Sequence, residues 1–182
     1  MQDIITNLTQ AIRSKDSRIG VIGLGYVGLP LAVTAARRGF DVLGVDIDPK
    51  KMRALDAGKS YIEAVSNDDL AEAQSRMSWS TDFADLATCQ AVIICVPTPL
   101  TQHREPDLTY VLDTTRQIAA NITPGTLVVL ESTTYPGTTR DELIPVLEAG
   151  GLKSGETVFV GFSPEREDPG NAKFRTATIS KI

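Results

Sequence analysis

The first apolar positions of the chain, Ile4, Ile5, Leu8 and Ile12, fall at the spacing of one helix face and predict a short amphipathic helix within residues 1–16. The period then changes. Ile19-Gly20-Val21-Ile22 is a compact, largely β-branched run ending at Gly23, and from Tyr26 to Arg38 apolar and small residues return with helical spacing. Gly39 closes that helix as a C′ glycine, and Val42-Leu43-Gly44-Val45 forms a second buried strand that ends at Asp46. A strand, a helix and a strand are thus complete within the first 46 residues.

The alternation continues. A helix is expected from about Pro49, then a polar stretch from Lys59 to Ser66, a helix capped by Asn67, and a short strand over 77–80. Ala91-Val92-Ile93-Ile94-Cys95-Val96 is the most apolar run, of the length of a parallel strand covered on both faces, and Pro97 ends it. Asp107 caps a helix lined by Leu108, Val111, Leu112, Thr115, Ile118, Ala119 and Ile122, which Pro124-Gly125 breaks. Thr126 to Leu130 reads as a strand, Gly137 to Gly150-Gly151 as a helix, and Thr157 to Val160 as a last strand. Such alternation implies an α/β, doubly wound (Rossmann-like) parallel sheet with helices on both faces, a single domain over 17–182 after the helix of 1–16. Ligands of such sheets bind beyond the carboxyl ends of the strands. Attention therefore falls on Gly23 to Gly28, Asp46, Pro97-Thr98, Glu131 to Thr133, and the segment from Ser163.

Composition narrows the function. No apolar run approaches the ~20 residues of a membrane span, and 18 basic against 23 acidic residues leave a net charge of −5 with no Lys/Arg cluster. Nucleic acid and membrane are therefore not expected partners, and small-molecule chemistry is. The only cysteines, Cys89 and Cys95, flank or sit in the apolar run and are expected to be inert, which suits a reducing compartment. The first twenty residues have no basic n-region followed by an apolar core, so a cytoplasmic location is expected. His103 lies in a polar loop without an identifiable partner, and neither a zinc-ligand spacing nor G-x-S-x-G occurs.

Gly23-Leu24-Gly25-Tyr26-Val27-Gly28 is G-x-G-x-x-G between a strand and a helix. Gly23 permits the tight turn, Gly25 lets backbone approach a diphosphate, and Gly28 lets helix and strand pack closely. Eighteen residues after Gly28, Asp46 ends the next strand, where a carboxylate accepts hydrogen bonds from an adenosine ribose. It would repel a 2′-phosphate, and no Arg directly follows it, so NAD is favoured over NADP. FAD shares the fingerprint, and a bare structural turn would use the same glycines. Thr98 and Thr133 each follow a strand, where their hydroxyls can hold a ribose, a water or a substrate oxygen, or simply cap a turn. Glu165 lies beyond the last strand and can act as acid or base, or pair with Arg166.

Four colinear segments resemble one family. Val21 to Pro30, Val96-Pro97-Thr98-Pro99, Glu131-Ser132-Thr133 and Ser163-Pro164-Glu165-Arg166 are together similar to the N-terminal domain of the UDP-sugar 6-dehydrogenases, from about Ile19 to Asn171. The wording from Pro164 to Asn171 is closer to the N-acetylhexosamine branch than to the UDP-glucose branch. The resemblance implies a four-electron oxidation of a UDP-hexose at C6, UDP-N-acetylglucosamine, UDP-N-acetylmannosamine or UDP-glucose, with two NAD molecules taking hydride in succession through a thioester on a cysteine. It implies catalytic roles for Thr133, which would hold a water, and Glu165, which would help activate it. Arg166 would lie near the substrate, and Gly23, Gly25, Tyr26, Val27, Gly28, Asp46, Pro97, Thr98 and Thr133 would line the cofactor. The family's nucleophilic cysteine, its active-site lysine, its central dimer helix and its UDP-binding domain belong to segments beyond Ile182. The expectation is accordingly an NAD-binding domain, inactive and monomeric alone, from a homodimeric parent. A different β-hydroxyacid-type dehydrogenase and a non-catalytic NAD-binding module are the alternatives.

Overall fold

The computed structural model describes residues 2–102 and 104–164. Six strands, β1 (Arg18–Ile22), β2 (Asp41–Val45), β3 (Met77–Ser80), β4 (Ala91–Ile94), β5 (Thr126–Leu130) and β6 (Val158–Phe162), form one sheet in the order β3-β2-β1-β4-β5-β6. Every pairing is parallel. Two strand series run outward from β1 and β4, so the order reverses between them, which is the doubly wound arrangement with its switch point.

The helices are α1 (Gln2–Ser14), α2 (Gly28–Arg37), α3 (Pro49–Asp56), α4 (Asn67–Ala73), α5 (Thr109–Asn121) and α6 (Ile144–Ala149). Alternation along the strands divides their side chains between two cores. Val21, Val42 and Ile93 pack with Leu29, Val33, Met52, Leu55 and Leu70 from α2, α3 and α4. Ile22, Leu43, Val92 and Ile94 face the other way, onto Val111, Ile118 and Leu147 from α5 and α6. Both faces are covered, which is why these strands read as continuous apolar runs. The helix α1 buries no side chain fully; Ile4 and Ile5 stay partly exposed, with Ile4 lying against Gly125 at the turn into β5. No helix among the described residues is long and apolar enough to cross a membrane.

Several boundaries differ from the sequence reading, each for a local reason. Ser66, not Asn67, caps α4: its hydroxyl accepts from the Asp69 N–H while Asp69 accepts from the Ser66 N–H, a reciprocal capping box. Asn67 begins the helix and accepts from the Ser60 N–H. The strand expected to run to Val96 ends at Ile94, although the Cys95 N–H still donates to Ile22. The last strand runs two residues further than expected, because Gly161 and Phe162 pair with Val129 and Leu130. The helix after β1 begins at Gly28 rather than Tyr26. Asp107, expected to cap α5, lies one residue before its N-cap, Leu108, which makes no side-chain cap bond; Asp107 instead accepts from the Thr109 N–H in a local Asx turn.

Candidate cofactor site

The glycine loop occupies the switch point, directly after β1. Gly23 has φ of +88°, a left-handed conformation that glycine adopts without steric cost, and a Cβ there would meet the Cys95 carbonyl at 2.8 Å. Gly28 is closed to any side chain: its Cβ would lie 1.9 Å from the Gly23 carbonyl oxygen. Gly25 is the opposite case: among the described residues, its chain neighbours aside, nothing lies within 4 Å of a Cβ position. The loop is therefore sealed toward the protein at Gly23 and Gly28 and open at Gly25. Tyr26 is exposed, and Val27 packs partly against the core of α2.

Asp46 is only 6% exposed and holds this loop from below. Its Oδ2 accepts from the Leu24 N–H at 2.8 Å and from the Lys51 ammonium, and its Oδ1 accepts from the Asp48 N–H at 3.0 Å. Asp48 in turn caps α3 by accepting from the Lys50 N–H at 2.8 Å, which places Lys51 in the first turn beside Asp46. Lys51 was missed by the sequence reading. Its signal was the Asp-x-Asp-Pro-Lys-Lys run, in which a capped helix starting at Pro49 brings the second lysine back over the strand end.

Tyr61 was also missed. From the segment between α3 and α4 its hydroxyl donates to the Leu24 carbonyl at 3.0 Å. Burial foremost, and then the Asp46 and Asp48 carboxylates, push its phenol well above the ordinary range, so it stays a donor.

Beyond β4 and β5 the loops are stitched together. Thr98 donates its hydroxyl to the Thr133 carbonyl at 2.7 Å, and Ser132 donates to the Val96 carbonyl at 2.9 Å. The Thr98 proton is thus committed to this bond, and its oxygen remains an acceptor. Pro97 and Thr133 are exposed at the same edge of the sheet, while Glu131 is buried. On the β5–β6 side of that edge, Thr134 to Arg140 and Phe162 outline an open depression of about 660 Å³. Glu165 and Arg166, like His103, lie outside the described residues. Cys89 and Cys95 are both buried, and burial pushes the Cys89 thiol up. Among the described residues no group of three or more His, Cys, Asp and Glu side chains is placed to hold a metal ion.

A parallel sheet in this strand order, a glycine loop open at its second glycine, and a buried carboxylate at the end of β2 define a dinucleotide-binding domain. Comparison with known proteins narrows this. Residues 17–182 match the family model for the UDP-glucose/GDP-mannose dehydrogenase family, NAD binding domain. The chain belongs to that family, and its cofactor is NAD. UDP-N-acetyl-D-glucosamine 6-dehydrogenase of Pseudomonas aeruginosa is 40% identical over 169 residues, which cover 92% of this chain and 40% of that protein. The structure of UDP-D-ManNAc dehydrogenase from Pyrococcus horikoshii superposes with a TM-score of 0.79 at 38% identity, over 84% of this chain and 37% of that one. A ternary complex of GDP-mannose dehydrogenase from Pseudomonas aeruginosa gives 0.78 at 33% identity, again over 84% of this chain and 37% of that one. The chain therefore spans about two-fifths of the length of the curated relatives it matches.

Proposed function

We propose that this chain is the cofactor half of an NAD-dependent nucleotide-sugar 6-dehydrogenase acting on a UDP-N-acetylhexosamine, and that by itself it binds NAD without turnover. The observation that carries the reading is the pairing of an open Gly25 with a buried Asp46 tied to the same loop. The donor set fits the cofactor: backbone N–H groups at the start of α2 for a diphosphate, and a carboxylate beside an ammonium for ribose hydroxyls. Gly23, Gly25, Tyr26, Val27 and Gly28 would form the diphosphate cradle, Asp46 would take the adenosine ribose, and Pro97, Thr98 and Thr133 would border the nicotinamide half. NAD, when bound, accepts two electrons in each oxidation.

The work of the chain's own residues is binding and orientation. The Thr98 bond to the Thr133 carbonyl ties two loops together, and from there the side chain of the exposed Thr133 would hold a water. Glu165 would assist that water and Arg166 would contact the substrate. The N-acetylhexosamine preference is supported by the relatives named above and by the wording from Pro164 to Asn171. Both cysteines are buried in or beside β4, so neither offers a thiol to a sugar carbon, which supports binding without turnover.

Thermal unfolding tests the proposal. NAD at a hundred times its Kd should stabilise by about 2.7 kcal/mol, a rise of roughly 5–10 °C for a domain of this size. Absorbance at the NADH wavelength should stay flat when UDP-N-acetylglucosamine is added. An unmoved Tm with NAD would refute binding, and NADH formation would refute the inactivity of the chain.

A further inference from the structure

We propose that Tyr61 is a positioning residue for the diphosphate cradle: by holding the Leu24 carbonyl, its hydroxyl fixes the peptide plane whose opposite edge presents the Gly25 N–H to the cofactor. The inference rests on the cofactor reading of the loop given above.

In a trans peptide unit the carbonyl and the following N–H point in opposite directions. The Leu24 carbonyl and the Gly25 N–H belong to one such unit, so a donor on the former sets the direction of the latter. The preceding unit carries the Leu24 N–H, which Asp46 Oδ2 accepts at 2.8 Å. Both peptide planes around Leu24 are therefore held by side chains, Asp46 from one side and Tyr61 at 3.0 Å from the other. The Leu24 side chain is itself completely buried. Among the described residues the Gly25 N–H makes no hydrogen bond, and the space over Gly25 is clear to 4 Å.

A clamp is needed there because glycine lies on either side of Leu24. A flip of the Leu24–Gly25 plane turns mainly about ψ of Leu24 and φ of Gly25, and glycine offers little resistance to it. A flipped plane would aim a carbonyl at the diphosphate in place of an N–H. Tyr61 is fitted to prevent this. Its ring packs against the core of α2 and α3. Its backbone is fixed by Ser60, which accepts from the Ile62 N–H at 3.1 Å and whose own N–H is held by Asn67. The raised phenol keeps its proton throughout the neutral range, so the bond to Leu24 persists.

The test uses the full 182-residue chain and Tyr61→Phe, which keeps the ring and removes only the donor. NAD and adenosine are titrated into both proteins labelled with ¹⁵N, with the Gly25 amide followed as the site-specific signal. Adenosine lacks the diphosphate and reports on the Asp46 end alone. Removal of one hydrogen bond predicts NAD affinity lower by about three- to tenfold, unchanged adenosine affinity, and a Gly25 amide broadened by exchange between two plane orientations. Wild-type NAD affinity in Tyr61→Phe would overturn the inference, as would equal loss for NAD and adenosine, the mark of a merely structural role. Failure of the wild-type chain to bind NAD would overturn the cofactor reading itself, and the inference with it.

Discussion

Substituting Gly25 by alanine separates stability from binding. The Gly25 backbone does not lie in the left-handed region, and among the described residues, its chain neighbours aside, nothing stands within 4 Å of the added methyl, so the fold accepts it without strain. Restricting the unfolded chain should stabilise by about 0.4–1 kcal/mol, raising Tm by roughly 1–4 °C in a domain of this size. The methyl occupies the space assigned to the diphosphate and holds that anion away from the loop N–H groups. Loss of one hydrogen bond to a charged group costs about 1.5–3 kcal/mol, which corresponds to about 10- to 150-fold in Kd. Gly28→Ala supplies the contrast: its Cβ would lie 1.9 Å from the Gly23 carbonyl oxygen and 3.2 Å from the Cys95 Cβ, so backbone must move. Overpacking of that kind costs about 1–3 kcal/mol, a fall of roughly 2–12 °C. Calorimetric titration with NAD beside a thermal melt reads both quantities. NAD binding by Gly25→Ala as tight as wild type would refute the assignment of the loop, whatever its Tm.

Further outcomes follow from the same geometry. Asp46→Asn leaves one side-chain oxygen for the Leu24 and Asp48 N–H groups and turns an NH₂ toward the other; it should lower stability by about 1–3 kcal/mol, weaken NAD binding and narrow the preference over NADP. An unchanged preference would remove Asp46 from the ribose. Lys51→Met removes the cation that offsets Asp46, so the ratio of NAD to NADP affinity should rise severalfold; a fall in the ratio would show that Lys51 acts otherwise. Tyr61 has a folded pKa raised above its ordinary 10.0, so its contribution is complete below pH 10 and is lost as pH rises beyond it. Chemical denaturation between pH 9 and 11.5 should show wild-type stability falling more steeply than that of Tyr61→Phe, and parallel curves would contradict this.

The parts legible in the sequence were those written locally. The glycine loop and Asp46 lie within one strand–helix–strand unit, and β5 was bounded correctly by Pro124-Gly125 before it and Glu131 after it. Gly161 disguised the end of β6, because a residue without a side chain interrupts an apolar run while its backbone still pairs. Ser66 and Asn67 are both good caps, and only the reciprocal bond to Asp69 decides between them. The helix α5 buries Thr115 because its hydroxyl donates to the Val111 carbonyl one turn back, which satisfies it within its own helix. The Tyr61–Leu24 and Thr98–Thr133 bonds join residues more than thirty positions apart, and no local pattern encodes such partners.

The central claim is a selective NAD site in this chain, and parallel calorimetric titration of the 182-residue protein with NAD and NADP tests it most directly. The account predicts one NAD bound per chain, with NADP weaker by about tenfold or more as the buried Asp46 carboxylate meets a 2′-phosphate. Absence of heat with either dinucleotide, or equal affinity for both, would contradict it.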